Sequence, residues 1–573
     1  MAPFVAALVA VWSQGRWFPA GDMAQAELHM RGFLGHPPLV GAAGRIVGDT
    51  GVQGSHPGPS LWIAMLPIYL IGGRTSASLM ASVVSVHIAA AVVALRLTWL
   101  RYGPVLTGMV ALALVAIVHA SGPDFVIEPW NPWLAIVPFL VFVLLVERCL
   151  APEENRYALL GAVVVGSHCV QCHAGYAILV GVGLMIAAVY RVRHRGLRVL
   201  FGPLVALLAM WSPPLIDQMR REPGNLTLLW QHFGSPSEPR LPLPEAFRVV
   251  ATQFNVLGPW LWGPGGSHPA ESWFRWPGFV LFGVLFAGAL MVARRRGWKS
   301  DVRFLTLLGS YFVVAVLSVT RLFGPYFEYT IRWAWILAAV MVALSLNVLG
   351  RDWVERRPSP IEGQRLAWLA VALALGASTW TSVAIASDVH RPGPTDSVIV
   401  GGLAPQLRRM DDEITYLVRF WDPYTLNATG FGIVLEMERS GYTVKVEPTF
   451  AAAALPHRTA IENEVDDVLW VVVGPKNDSL ADDPALTRVA YFDPRTADER
   501  RRAESLLSDI ENGLRAAGRD ELIPNLVSPG ASLLFAEPPL PDDVARDLRA
   551  LYLLGQPVGV YSSAPGADVP SLG

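Results

Sequence analysis

Long apolar windows alternate with short arginine-bearing segments along most of the chain. As helices, runs of about 17 to 25 apolar residues can cross a hydrocarbon core roughly 30 Å thick. Such windows fall at 75–97, 104–120, 132–148, 157–172, 174–190, 198–213, 277–293, 303–321, 333–349 and 365–386. A further apolar stretch, 2–14, is short, reaching only some 20 Å at about 1.5 Å per residue. The pattern predicts a polytopic α-helical membrane protein of about 11 transmembrane helices.

Direction follows from the arginines, because short cytoplasmic connections collect positive charge. Arginine is dense in RLTWLRYG (96–103), ERCLAPEENR (147–156), YRVRHRGLR (190–198), ARRRGWKSDVR (293–303) and GRDWVERRPSPIEGQR (350–365). These alternate with arginine-poor loops only if 75–97 ends inside. The run PSLWIAMLPIYLIGG (59–73) is then predicted to lie in the outer interface as a helix, with Trp62 and Tyr69 at headgroup level. The N-terminus falls inside. Loops 15–74 and 213–276, and everything after 387, fall on the extracytoplasmic side of the cell membrane.

From 387 the chain becomes charged and loop-rich. Strand character appears at 413–420, 442–448, 465–474 and 487–493, and helical periodicity at 429–441 and 497–518. Alternating strand and helix predicts a C-terminal extracytoplasmic α/β domain, 387–573, beside a transmembrane domain, 1–386. The Pro/Gly/Ser-rich end, 563–573, reads as disordered.

Composition sharpens this picture. The chain has 573 residues, of which 53% are hydrophobic and 16% charged, against roughly 25% charged in soluble domains. A net charge of −2 lacks the basic bias of a general nucleic-acid binder, so nucleic acid is excluded as a partner. Lysine occurs three times against abundant arginine, alanine and glycine, the usage of a GC-rich bacterial genome. Three cysteines, Cys149, Cys169 and Cys172, are too few for a disulfide framework.

Candidate chemistry gathers where helices leave the lipid. In WFPAGDMAQAELHMRGF (17–33), Asp22 followed by Gln25 reads as a helix cap with a capping-box partner, and equally as a reactive carboxylate at the membrane surface. SGPDFVIEPWNPW (121–133) adds Asp124 and Glu128 to a second outer loop, either as solvated turn residues or as an acid/base or cation-holding pair. RLFGPYFEYTIRWAW (321–335) carries Arg321, Glu328, Tyr329 and Arg332; an arginine there anchors a helix at the interface or clamps a lipid-linked phosphate. In GSHCVQCHAGYA (166–177), Cys169-Val-Gln-Cys172-His173 has c-type haem spacing but no room for a haem at a turn between spans, which leaves His173 as a polar ligand at the bundle mouth. WSPPLIDQMRREPGNLTLLWQHF (211–233) leaves its helix through a double proline and reads as an amphipathic loop. Its Asp217, Arg220, Arg221 and Asn225 are the alternative, an acceptor entrance.

With these residues assembled, residues 1–350 resemble the GT-C class of polytopic glycosyltransferases, in particular the family of protein O-mannosyltransferases and lipid A aminoarabinose transferases. The order carries the resemblance: one span, Gly21-Asp22, a juxtamembrane loop, then HPGPSLWIAMLPIYLIGG (56–73) ahead of a span ending in arginines. The family's interfacial helix begins Pro-Pro, where this chain has His-Pro-Gly-Pro. The resemblance implies transfer of a sugar from a polyprenyl-phosphate donor to a glycan, lipid or protein acceptor at the outer leaflet. It implies Asp22 and Asp124 as catalytic acids, with Glu128 an alternative to Asp124. Glu128, His173, Tyr329, Arg332 and His56 become donor-binding residues. Met23 stands where the family often has a second acid, so a divalent cation stays open and no cofactor is fixed. Two other classes remain: a transporter, against which the apolar spans and missing repeat weigh, and a non-catalytic envelope-assembly protein.

Overall fold

The structure, a computed structural model, describes residues 1–47, 52–151, 157–236, 238–263, 275–324, 327–356, 360–480, 483–526, 533, 536, 539–567 and 569. The chain forms two compact units. One comprises 1–14 and 38–390, the other 15–37 and 391–573. Residues 15–37 thus belong with the C-terminal unit, which differs from the expected boundary.

In the first unit a helix lies on every apolar window. Among the described residues, 8 are long and apolar enough to cross a membrane, and Ala2–Ser13, Ser60–Ile71 and Ala158–Cys172 are shorter apolar helices. The longest of the 8, Ser76–Ile127, is not one rod. It breaks at Gly103 (φ 75°), followed by Pro104, and again at Gly122 (φ 79°). Thirty-eight residues of straight helix would separate His87 from Phe125 by about 57 Å. Yet His87 Nε2 donates to the Phe125 carbonyl at 3.1 Å, so the chain doubles back at Gly103. The windows 75–97 and 104–120 are therefore two antiparallel limbs, and a positive φ at the reversal suits glycine.

The double proline does not end its helix, which runs Phe201–Arg220 through Pro213 and Pro214. Proline lacks an N–H, so each orphans a carbonyl four residues back. Both carbonyls find donors elsewhere: Ser212 Oγ bonds Ala209 O at 2.9 Å, and Gln171 Nε2 bonds Met210 O at 2.8 Å.

The arginine-rich segments meet at one end of this unit. Arg101 pairs with Glu147 at 3.5 Å and donates to Ser300 at 2.9 Å. Arg191 donates to the Arg148 carbonyl at 3.3 Å, Arg296 pairs with Asp352 at 2.6 Å, and Arg351 with Asp301 at 3.6 Å. The five segments that charge counting put on one side are thus joined by contacts.

Helix Ser60–Ile71 follows a two-stranded hairpin, β1 (Ala43–Val47) and β2 (Gln53–Ser55), that the sequence did not announce. Trp62 and Tyr69 are not headgroup residues. Both are buried, with Trp62 Nε1 bonding Val40 O at 3.2 Å and the Tyr69 hydroxyl bonding Arg74 O at 3.2 Å. A Cβ at Gly58, just before this helix, would lie 2.4 Å from Gln171 Cδ, so the Gln171 side chain would have to move. The same Gln171 accepts the Ser60 N–H at 3.2 Å. Asn225 grips β2 through both backbone groups of Ser55 (2.8 and 3.0 Å), and Asp217 accepts the Asn225 N–H at 2.9 Å. Asp217 and Asn225 therefore fasten the hairpin rather than line an entrance.

The second unit is built on a sheet ordered β4-β3-β5-β7-β6, from β3 (Thr415–Trp421), β4 (Thr443–Val446), β5 (Asp467–Val473), β6 (Thr487–Phe492) and β7 (Val558–Ser563). β3 runs parallel to β4 and β5, whereas β7 is antiparallel to β5 and β6. Helix Ala428–Arg439 makes the crossover from β3 to β4. The expectation of a disordered end is corrected in part: Val569 packs with Val472, Leu480 and Tyr561, while 568 and 570–573 lie outside the described residues.

Helix Gly21–Gly32 lies against Ala428–Arg439. The fully buried Glu27 pairs with Arg439, which also pairs with Glu436, and Arg16 reaches Glu436 at 2.7 Å. Arg31 and Arg458 converge on Glu438 at 3.1 and 2.5 Å. Charges in the N-terminal segment are thus the partners of charges some four hundred residues later.

Candidate active site

At the end of the first unit away from the arginines, helix Ala158–Cys172 stops at His173, whose backbone is extended (φ −149°, ψ 119°). Asn131 caps it by donating to Cys172 O at 2.9 Å. In the turn that follows, the Gly175 N–H donates to His173 Nδ1 at 3.2 Å and the Ala174 N–H to His56 Nδ1 at 3.4 Å. One turn thus orients two imidazoles, their centroids 4.9 Å apart. A ring nitrogen that accepts an N–H carries no proton, so this network assigns the neutral rings their proton at Nε2, as a donor. Burial pulls the His173 pKa down to about 4, and burial with the neighbouring His173 holds His56 well below the usual histidine range. Both rings are neutral at pH 7.

An aromatic wall adjoins the pair. Tyr329 stands edge-on to His173 at 6.4 Å and to Trp130 at 4.7 Å, and Trp130 meets Trp133 at 4.9 Å. Arg332, only 8% exposed, has its guanidinium 4.5 Å from the Trp133 ring and 5.0 Å from that of Trp335. Stacking on indoles orients the guanidinium plane while the charge persists. Glu128 Oε2 accepts the Trp133 Nε1–H at 3.1 Å. Just beyond the Gly122 break, Asp124 has its pKa raised by partial desolvation and by the charge of Asp388, with His390 and Arg332 pulling the other way.

Six of the sequence-derived residues, Asp124, Glu128, His56, His173, Tyr329 and Arg332, are therefore linked through neighbouring contacts at one end of one unit. Asp22 belongs to the second unit. It is exposed in the first turn of Gly21–Gly32, where the N-cap is Ala20 and no side chain caps the helix. The expected Asp22–Gln25 capping box is not formed, because the helix starts at Gly21 (φ 52°) with Ala20 as N-cap, two residues before the expected cap. Asp22 still faces the positive end of the helix dipole.

Beside the imidazoles lies a cavity of about 500 Å³, walled mainly by apolar side chains such as Ile178, Trp211 and Trp333. Pro57, Gly175 and Thr330, sequence neighbours of His56, His173 and Tyr329, form part of its lining, and Arg321 supplies a charge. Chain neighbours of the polar residues thus border an apolar cavity whose one charged lining residue is Arg321. Arg45, whose guanidinium lies 5.1 Å from Phe327, was not signalled in the sequence, because its partner is remote. Among the described residues, no group of three His, Cys, Asp or Glu side chains is placed to hold a metal ion. Cys169 and Cys172 are buried, unbridged thiols.

No family model matches the sequence, and no curated protein matches it. In structure the chain is similar to ArnT from Cupriavidus metallidurans. The apo form aligns with a TM-score of 0.54 at 12% identity, covering 85% of this chain and 94% of that one. The form bound to undecaprenyl phosphate gives 0.52 at 14%, covering 85% and 95%. The archaeal oligosaccharyltransferase AglB from Archaeoglobus fulgidus, in complex with an inhibitory peptide and a dolichol-phosphate, gives 0.40 at 13%, covering 82% and 69%. The ArnT likeness shows the fold: this chain folds like that protein over most of its length.

Proposed function

We propose that the chain transfers a sugar from a polyprenyl-phosphate donor to a glycan, lipid or protein acceptor of the cell envelope, at the extracytoplasmic face of the cell membrane. The observation that carries this reading is an apolar cavity bordered by the chain neighbours of His56, His173 and Tyr329, with Arg321 in its wall. A polyprenyl phosphate has that two-part chemistry, an isoprenoid tail and an anionic head. The solved ArnT structure with undecaprenyl phosphate lends support through its shared fold.

In this reading the tail lies along the cavity wall, and the phosphate meets Arg332 with the Nε2–H groups of His56 and His173 and the Tyr329 hydroxyl. A carboxylate, Asp124, takes the proton of an acceptor hydroxyl, a weak nucleophile until then. The oxygen bonds to the anomeric carbon while the bond from that carbon to the phosphate oxygen breaks. Negative charge grows on the leaving polyprenyl phosphate, where preoriented donors stabilise it. Glu128 fixes Trp133 and through it the guanidinium of Arg332. The gathering of arginines at the opposite end supports the sidedness, with eleven spans in 1–386 and 387–573 as an extracytoplasmic domain.

Photo-crosslinking with a diazirine-bearing polyprenyl phosphate tests this. Labelled peptides should fall within 170–178 and 318–333, with labelling suppressed by excess unmodified polyprenyl phosphate. Labelling spread evenly over the helices, or indifferent to the competitor, would overturn it.

A further inference from the structure

A second, larger cavity of about 790 Å³ lies at the arginine-rich end of the same unit. Helix Trp333–Glu355, which starts beside Arg332, spans about 35 Å before reaching it, so the two cavities serve opposite ends of the bundle. Its origin is the reversal at Gly103. The returning limb touches helix Pro360–Asp388 where Gly108 meets Ala370, leaving space between that contact and the charged end.

The walls differ in kind along its length. Met109, Leu112, Leu369 and Leu373 make an apolar face, and the last two are about half exposed, so the cavity opens sideways onto the lipid-facing surface. At the other extreme lie Arg101, Ser300, Asp301, Arg351 and Glu355. Two guanidiniums and two carboxylates therefore share the rim. Arg351 stacks on Trp298 at 3.9 Å and pairs with Glu355 at 2.9 Å and Asp301 at 3.6 Å. The pair with Glu355 joins side chains 49% and 41% exposed, and such a pair contributes little and exchanges partners readily.

A ligand that enters from the side must be soluble in the bilayer, which selects a lipid. A purely anionic headgroup satisfies Arg101 and Arg351 but stands against Asp301 and Glu355. A headgroup with a phosphodiester and a primary ammonium meets both signs. We propose that this cavity binds a membrane phospholipid of the phosphatidylethanolamine type, drawn from the leaflet at the arginine-rich end. Its phosphate lies between Arg101 and Arg351, its ammonium against Glu355 and Asp301, and its acyl chains along Met109, Leu112 and Leu373.

Native mass spectrometry tests this on the full chain, released from nanodiscs holding equal amounts of phosphatidylethanolamine, phosphatidylglycerol and phosphatidylcholine. Phosphatidylethanolamine should be retained about tenfold over either competitor, since phosphatidylglycerol lacks the ammonium and phosphatidylcholine lacks its N–H donors. Arg351→Gln, which loses the charge, and Leu373→Trp, which fills the cavity and leaves the charges alone, should each reduce that retention severalfold. Equal retention of the three lipids, preference for another, or undiminished phosphatidylethanolamine in either variant overturns the proposal.

Discussion

His56 and His173 take their orientation from adjacent residues of one turn, the N–H groups of Ala174 and Gly175, and sit with ring centroids 4.9 Å apart. Both are held neutral by burial, with pKa values below that of an unfolded histidine. Between pH about 6.5 and about 4 the unfolded chain binds protons that the folded one refuses, so stability falls as pH drops through that window. For His173 the limit is about 3 kcal/mol. Melting the purified protein from pH 7 to pH 4.5 should show a declining Tm, with a shallower slope in His173→Gln. An identical slope in that variant would show that His173 is not the source.

Gly58 faces Gln171 at a distance that leaves no room for a methyl group. Gly58→Ala forces Gln171 away from the Ser60 N–H and from the carbonyl that Pro214 orphans. A loss of about 1–3 kcal/mol follows from overpacking of this size. Thermal denaturation of the variant measures it, and an unchanged Tm would mean the backbone shifts freely.

Arg439 neutralises two buried carboxylates, Glu27 and Glu436. Arg439→Met takes the guanidinium away from buried Glu27, whereas Glu436 keeps Arg16, and costs about 3–5 kcal/mol. Adding Glu27→Gln removes the stranded charge and should recover part of that loss. Proteolysis of the second unit reads both effects: the single variant should be cleaved fastest and the double variant at an intermediate rate.

Arg332 tests the donor's charge. Its replacement by Ala should lower turnover about 100-fold, as for other preoriented donors to a developing anion. Arg332→Lys should restore only part, because an ammonium loses the planar stack on Trp133 and Trp335. Full activity in the lysine variant would reduce Arg332 to a point charge.

The helices were legible because long apolar windows follow from the thickness of a bilayer, whatever the tertiary context. Four strands of the second unit were legible for a related reason: segments rich in β-branched and aromatic residues at 413–420, 442–448, 465–474 and 487–493 cover β3 to β6. The fifth, Val558–Ser563, sits against a Pro/Gly/Ser-rich end that masked it, and only pairing with β5 and β6 defines it. Trp62 and Tyr69 were misplaced because an amphipathic aromatic suits a headgroup layer and a buried pocket alike. Glu27 was illegible for another reason: its partner, Arg439, is 412 residues away. The polar cluster was readable as residue types at helix ends. Its convergence was not, since His56 reaches the turn after His173 through the Ala174 N–H, a tertiary contact between residues 118 positions apart.

The most direct measurement follows labelled sugar from synthetic polyprenyl-phosphate donors in membranes that contain the chain. The account predicts that label moves to an envelope acceptor, and that Asp124→Asn stays membrane-inserted while it transfers about 100-fold more slowly or worse. Transfer at the original rate in that variant, or none from any polyprenyl-phosphate sugar by the folded protein, would contradict it.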